Sequence, residues 1–223
     1  FVSTRLKGTD GVSLEVEKWA KVLRHLGHEV FFCAGELGGY ASKGALIPLM
    51  HFQHPQILAL NERAFGGGAA PDARLFEDIR RLAAEIKPPL RQFLLAIPMN
   101  LPLGMCLTEL IAELHIPTIA HHHDFFWERT RFQVGEMLEF LDTYFPPNLP
   151  QIQHVVINSL AQSRLKARRR IASLVVPNVH DFATPPPGLD DYNADFRERI
   201  GLKEADLLIL QPTRVIQRKG IEL

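Results

Sequence analysis

Short apolar runs alternate along this chain with segments whose apolar residues recur every three to four positions. The first pattern suits strands buried on both faces, and the second suits helices with one buried face. Alternation of the two restricts the fold to an α/β class with a parallel sheet, because a parallel strand is reached only through a crossover. Strand-like runs fall at residues 1–4, 30–34, 93–97, 117–120, 155–157 and 174–176. Helical spacing joins Val12, Val16, Trp19, Leu23 and Leu26, with Gly27 placed to end that helix. It also joins Leu75, Ile79, Leu82 and Ile86, a helix predicted to stop at Pro88-Pro89. Further helices are expected over 104–115, over 134–141 and from a Ser159 cap to Arg170. Residues 35–70, with their Gly, His and Pro, read as loops with short elements.

The pattern changes at residue 183. Pro185-Pro186-Pro187-Gly188 and Asp190-Asp191 have linker composition, a short helix is expected over 196–200, and a fresh apolar run begins at Leu207. The expected organisation is one Rossmann-like domain over 1–182, a linker and helix over 183–206, and the first strand and turn of a second Rossmann-like domain over 207–223. Both termini cut through elements, and position 1 is Phe, so the chain reads as a piece of a longer protein.

Charge excludes some partners. Lys plus Arg and Asp plus Glu number 25 each, which gives no electrostatic reason to expect nucleic acid. The basic run from Arg164 to Arg170 reads as a solvated helix face and leaves peripheral contact with anionic lipid open. Cys33 and Cys106 lie in apolar stretches and read as buried, reduced thiols. No apolar run is long enough to span a bilayer and no signal-peptide pattern is present, so a cytoplasmic enzyme is the expectation.

Ligands of open α/β sheets bind beyond the carboxyl ends of the strands. That rule selects the loops carrying Gly8 and Gly11, Asn100, His121–Arg131, Asn158 and Asn178, and the stretch from Thr213 onward. Gly8 and Gly11 precede a helix N-terminus, where free N–H groups favour a phosphate, but the full dinucleotide fingerprint is absent. A tight turn needing positive φ explains the same glycines. His121-His122-His123-Asp124, with Glu128 and Arg129 beyond, admits three readings: a metal site, histidines packed under the loop, or side chains that hold a sugar's hydroxyls. Consecutive strand residues point to opposite faces, which argues against three imidazoles on one ion. Arg214 and Lys219 follow a strand and turn, and two cations there suit a diphosphate.

These residues carry a likeness. Residues 8–30 (GTDGVSLEVEKWAKVLRHLGHEV) resemble the first βα unit of family 4 retaining glycosyltransferases of the GT-B fold. Residues 154–181 resemble their last N-domain units, with Pro177-Asn178-Val179-His180-Asp181 where the family writes PNG-x-D. Residues 208–220 (LILQPTRVIQRKG) are similar to the start of their donor domain, with the Arg-x4-Lys pair at Arg214 and Lys219. The run HHHDFFWERTRF at 121–132 most resembles a subgroup that transfers mannose to glucosylglycerate-type acceptors.

The resemblance implies a two-domain enzyme that moves a hexose, mannose or glucose, from a nucleoside-diphosphate sugar to a small sugar or sugar-acid acceptor, with no cofactor and no metal. Within it, the strand-end cluster places the catalytic roles on His122, His123 and Asp124, with His122 or His123 taking over from the family's usual His. Substrate contacts would fall to Gly8, Gly11, Asn100, Glu128, Arg129, Asn158 and Asn178, and the donor diphosphate to Arg214 and Lys219. Two departures stand out. The family's usual His after its strand is replaced here by Pro98-Met99-Asn100, and the Glu-x7-Glu segment would lie beyond Leu223. The chain alone is therefore expected to transfer no sugar. A nucleotide-sugar epimerase of the same fold, or a non-catalytic sugar-binding module, is the alternative.

Overall fold

The computed structural model describes the whole chain except residues 9, 40–42, 69, 92–99, 181, 186–187, 204 and 212–223. The chain divides into two units, Phe1–Asn178 and Val179–Leu223.

In the first unit, β1 (Val2–Ser3), β2 (Phe32–Ala34) and β3 (Gly44–Leu46) pair in parallel in that order. β4 (Thr118–His122), β5 (Ile152–Val156) and β6 (Ser173–Val175) do the same. Six helices surround these strands among the described residues. They are α1 (Gly11–His25), α2 (Pro55–Phe65), α3 (Ala73–Leu90), α4 (Leu101–Leu114), α5 (Gly135–Tyr144) and α6 (Ser159–Arg169). Parallel sheets flanked by helices give the expected α/β, Rossmann-like class. The strand predicted at 93–97 lies outside the described residues.

Pleating sends neighbouring residues of β2 to opposite faces. Cys33 joins Val2 in a core built with α2, α3, α4 and α5, while Phe32 and Ala34 join Leu6, Val30 and Ala20 under α1. A third apolar cluster, Phe125, Val156, Leu165 and Ile171, seats α6 on β5 and on the loop after β4.

Several local expectations change. Residues 35–70 contain β3 and the full helix α2, which Pro55 opens and which buries Ile57, Leu60 and Ala64. Pro88 and Pro89 do not stop α3, which runs to Leu90. Each Pro forgoes one N–H bond to the preceding turn, and Ile86 and Leu90, both fully buried beside them, hold that end of the helix in the core. Helix α6 is capped by Asn158, whose Oδ1 accepts from the Ala161 N–H at 2.8 Å, and Ser159 is its first residue. Gly27 has φ +85° just past the end of α1, as its placement predicts.

Asn100, expected among the substrate contacts, is instead a structural cap. Its Oδ1 accepts from the Leu103 N–H at 3.0 Å, its Nδ2 donates to the Leu49 carbonyl at 2.9 Å, and it is 1% exposed. One buried amide thus starts α4 and ties it to the turn Pro48–Met50.

The second unit contains α7 (Phe196–Arg199). The run at 207–210, expected to be a strand, forms no ladder among the described residues, and Leu207 and Ile209 are 84% and 87% exposed. A strand needs a neighbour for its backbone groups, and no described strand pairs with this run.

Glycine is required at position 35, where a Cβ would meet the His51 backbone nitrogen at 2.1 Å. Gly35→Ala is expected to cost about 1–3 kcal/mol, as overpacking does. Gly135→Ala, whose Cβ would enter open space, is the control. Urea unfolding of both variants checks this, and equal midpoints would show that the β2 end relaxes freely.

Candidate functional site

The carboxyl end of β4 carries the densest polar cluster, and the pleat divides it. His121 and His123 share one side. The His121 ring lies 5.2 Å from Trp19 of α1 and 4.6 Å from the His123 ring. His122 points the other way and stacks on His154 of β5, with ring centroids 5.2 Å apart and planes 16° apart. The arrangement bears out the argument from the pleat, since three adjacent imidazoles do not converge.

His122 Nε2 and His154 Nδ1 are 2.9 Å apart, so one nitrogen donates and the other accepts. Burial disfavours the charged form of both rings, so both are neutral near pH 7. Burial, then the neighbouring imidazoles, hold His122 down to about 3. Burial, then the Arg169 charge, hold His154 down to about 4. His122 was expected among the catalytic groups. The structure commits it to a pair whose second member, 3% exposed, is a core residue. The same side of β4 borders a small cavity of about 50 Å³, lined largely by apolar residues including Leu107, Ile111, Phe145 and Ile152.

On the α1 side, burial and the His123 charge lower His121 to about 4. Burial also lowers His123, opposed by the carboxylates of Glu15 and Asp124. Glu15 went unnoticed in the sequence. It is 5% exposed, with Oε2 accepting from Lys18 Nζ at 2.9 Å.

The loop beyond β4 is held by charge. Asp124 pairs with Arg129. Glu128 accepts from the Phe125 N–H at 3.0 Å and from Arg164 of α6 at 2.9 Å, so both its oxygens serve the loop. The Arg168 guanidinium lies over the Trp127 ring at 5.2 Å. Glu128 and Arg129, expected to touch substrate, are thus joined to the fold first. Part of the basic run at 164–170 packs here rather than forming only a solvated face.

Gly8 has φ +80°, so a turn requires its glycine. Gly11 is the first residue of α1, and Asp10 caps that helix. Asp10 Oδ1 accepts from the N–H groups of Val12 and Ser13, both at 3.1 Å. Burial raises this carboxyl, but Ser13 and Arg5 outweigh it and hold Asp10 below the usual range. A carboxylate already occupies the place where a phosphate was expected, which disfavours the phosphate reading of this loop. Beside it, Lys7 bonds Glu36 at 2.7 Å and Arg5 bonds Asp10 at 3.2 Å, a second polar patch at the ends of β1 and β2.

Asn158 caps α6 from an exposed position, and Asn178 is exposed at the end of the first unit. Arg214 and Lys219 lie outside the described residues. Among the described residues, no group of three or more His, Cys, Asp or Glu is placed to hold a metal ion, and no helix is long and apolar enough to cross a membrane.

Nearly the whole chain aligns with mannosylglucosylglycerate synthases. It is 36% identical to that of Thermotoga maritima over 231 aligned residues, covering 96% of this chain and 52% of the relative. It is 33% identical to that of Petrotoga mobilis over 237, covering 100% of this chain and 54% of the relative. The chain spans about half the length of the curated relatives it matches. No family model matches it, and no solved structure matches it significantly.

The neutral His122–His154 pair predicts a pH dependence of stability. Unfolded histidine takes a proton near pH 6.5, while these two remain neutral in the fold. Unfolding therefore takes up protons below that pH. The contribution is full above about 6.5 and is lost as pH falls toward 4, by up to about 1.4 kcal/mol per pH unit for each ring. Urea unfolding between pH 7 and 4 should show this slope, and His122→Phe combined with His154→Leu should reduce it. An unchanged slope in the double variant would overturn the assignment.

Proposed function

We propose that the full-length protein is a retaining hexosyltransferase of the family 4 kind, working in the cytoplasm. It moves mannose or glucose from a nucleoside-diphosphate sugar to a small sugar or sugar-acid acceptor. The observation that carries this reading is the alignment of 96–100% of the chain with two mannosylglucosylglycerate synthases. Their name favours mannose as the sugar and glucosylglycerate as the acceptor. Residues 1–182 form the acceptor domain in this reading, 183–206 the linker, and 207–223 the entry to the donor domain.

The mechanism asks the protein to stabilise charge on a departing nucleoside diphosphate. Arg214 and Lys219 supply two cations for it, without a metal ion. The acceptor faces the α1 side of the β4 end, where His123 and the Asp124–Arg129 pair offer hydrogen bonds to sugar hydroxyls. The Asp10 cap at α1 fits this division of labour, since it leaves diphosphate recognition to the donor side.

Two experiments test this reading on the full-length protein. With a panel of nucleoside-diphosphate mannoses and glucosylglycerate, His123→Ala or Asp124→Ala is expected to lower transfer on the order of 10²-fold while the melting temperature holds. Wild-type rates in both variants would make the cluster purely structural. Excess chelator is expected to leave transfer intact, whereas Arg214→Ala and Lys219→Ala depress the rate more than they weaken acceptor binding. Loss of activity on chelation, restored by magnesium or manganese, would overturn the metal-free mechanism.

A further inference from the structure

The loops that follow β1 and β2 are tied together by their backbones. The Leu6 N–H donates to the Glu36 carbonyl at 2.8 Å, and the Gly38 N–H to the Leu6 carbonyl at 2.9 Å. Lys7 and Glu36 flank that bridge, and the Lys7 ammonium donates to Glu36 Oε1 at 2.7 Å. The turn after Met50 closes the far side of Glu36. His51 Nδ1 accepts from the Gln53 N–H at 3.1 Å, so in the neutral ring Nε2 carries the proton, and it faces Glu36 Oε2 at 3.4 Å. Phe52 stacks on His51, and the Arg5 guanidinium lies over the Phe52 ring at 5.4 Å.

The donors and acceptors of this patch are used unequally. Glu36 turns one oxygen to Lys7 and the other to His51. Asp10 gives one oxygen to the N–H groups of Val12 and Ser13, and the other to the Ser13 hydroxyl and Arg5. The cations keep capacity. Of the three N–H groups of Lys7, Glu36 takes one, and of the five of Arg5, Asp10 takes one among the described residues. The two side chains are 56% and 33% exposed, so their spare donors reach solvent. What remains at these strand ends, where open sheets bind ligands, therefore donates rather than accepts. Helix α1 joins the patch to the β4 end, since Ser13 Oγ accepts from the Lys7 N–H at 3.1 Å and Trp19 meets His121.

We propose that Lys7 and Arg5 hold the carboxylate of a sugar-acid acceptor, with Glu36 and Asp10 as positioning residues that fix the two cations. The inference rests on reading the first unit as the acceptor side of a transferase. An ionised carboxylate offers acceptor oxygens and no donor, the complement of what the patch leaves. Its hydrogen bonds to the ammonium and the guanidinium are charge-assisted, which a neutral alcohol in the same place cannot match.

The test compares two acceptors on the full-length protein: glucosylglycerate, and glucosylglycerol, in which a CH2OH group replaces the carboxylate. Calorimetry measures their binding without donor, and transfer from a panel of nucleoside-diphosphate mannoses gives kcat/KM. Wild type is expected to prefer the acid. Lys7→Met or Arg5→Met should cut that preference on the order of 10-fold or more, by weakening the acid while the alcohol binds as before. Glu36→Gln keeps an acceptor for the ammonium and removes the competing charge, so affinity for the acid should hold or rise. An ion pair serving only the fold would make the Lys7 and Glu36 variants alike. Folded Lys7→Met and Arg5→Met proteins with the wild-type preference overturn the proposal, and so does a wild type that has no preference. A Lys7→Met protein that loses affinity for nucleoside diphosphates and keeps it for the acid overturns it too. If such variants leave the preference unmoved while sugar is transferred to glucosylglycerate, the site falls and the transferase reading stands. Selective binding of the acid, lost in the variants of a protein that transfers no sugar, upholds the site and sinks the transferase reading instead.

Discussion

The rest of the first unit depends on one constraint: parallel strands bury both faces, so both must be roofed by helices. β2 shows it most clearly, with Phe32, Cys33 and Ala34 all at 1% exposure or less. Cys33 serves the core under α2 to α5, and Phe32 and Ala34 serve the core under α1. Once both faces are taken, polar side chains that must reach a ligand are left the strand ends and the loops beyond them. β4 is less fully covered, with Ile119 53% exposed, and carries the His121–Asp124 cluster at its carboxyl end.

At the end of β4 the same pleat that builds the core sorts the chemistry. Alternation sends His122 inward to His154, where two neutral rings share one hydrogen bond, and sends His121 and His123 to the α1 side. Glu15 there supplies a buried negative charge, and Asp124 with Arg129 a surface ion pair. Three consecutive identical residues thus have different electrostatic surroundings. The loop that follows is held by Glu128 to Arg164 and by Arg168 over Trp127, so α6 helps to fix the rim of the site.

The helix termini divide the work in a similar way. Asp10, Asn100 and Asn158 each cap a helix through a side-chain oxygen. Both asparagines stand where substrate contacts were expected. Asx residues satisfy orphan N–H groups at helix starts as readily as they bind hydroxyls, and spacing alone does not separate the two uses. Burial separates them for Asn100, at 1% exposed, and exposure leaves the Asn158 amide nitrogen at the surface.

What the sequence by itself determined is the class of fold and the location of the cluster. Periodic runs such as Val12 to Leu26 and Leu75 to Ile86 are visible because amphipathic helices repeat every 3.6 residues. Helix α2 was hidden because its His, Pro and Gly neighbours read as loop, although Ile57, Leu60 and Ala64 have helical spacing. Only the tertiary structure decided the partners. His154 lies 32 residues from His122. Glu15 lies over 100 residues before His123 and, in sequence, is one more acidic residue on a helix. Which ring meets which depends on how α1 lies on β4, as Trp19 against His121 shows. That packing is a property of the assembled layers, because local spacing sets which face a side chain shares but not what that face meets.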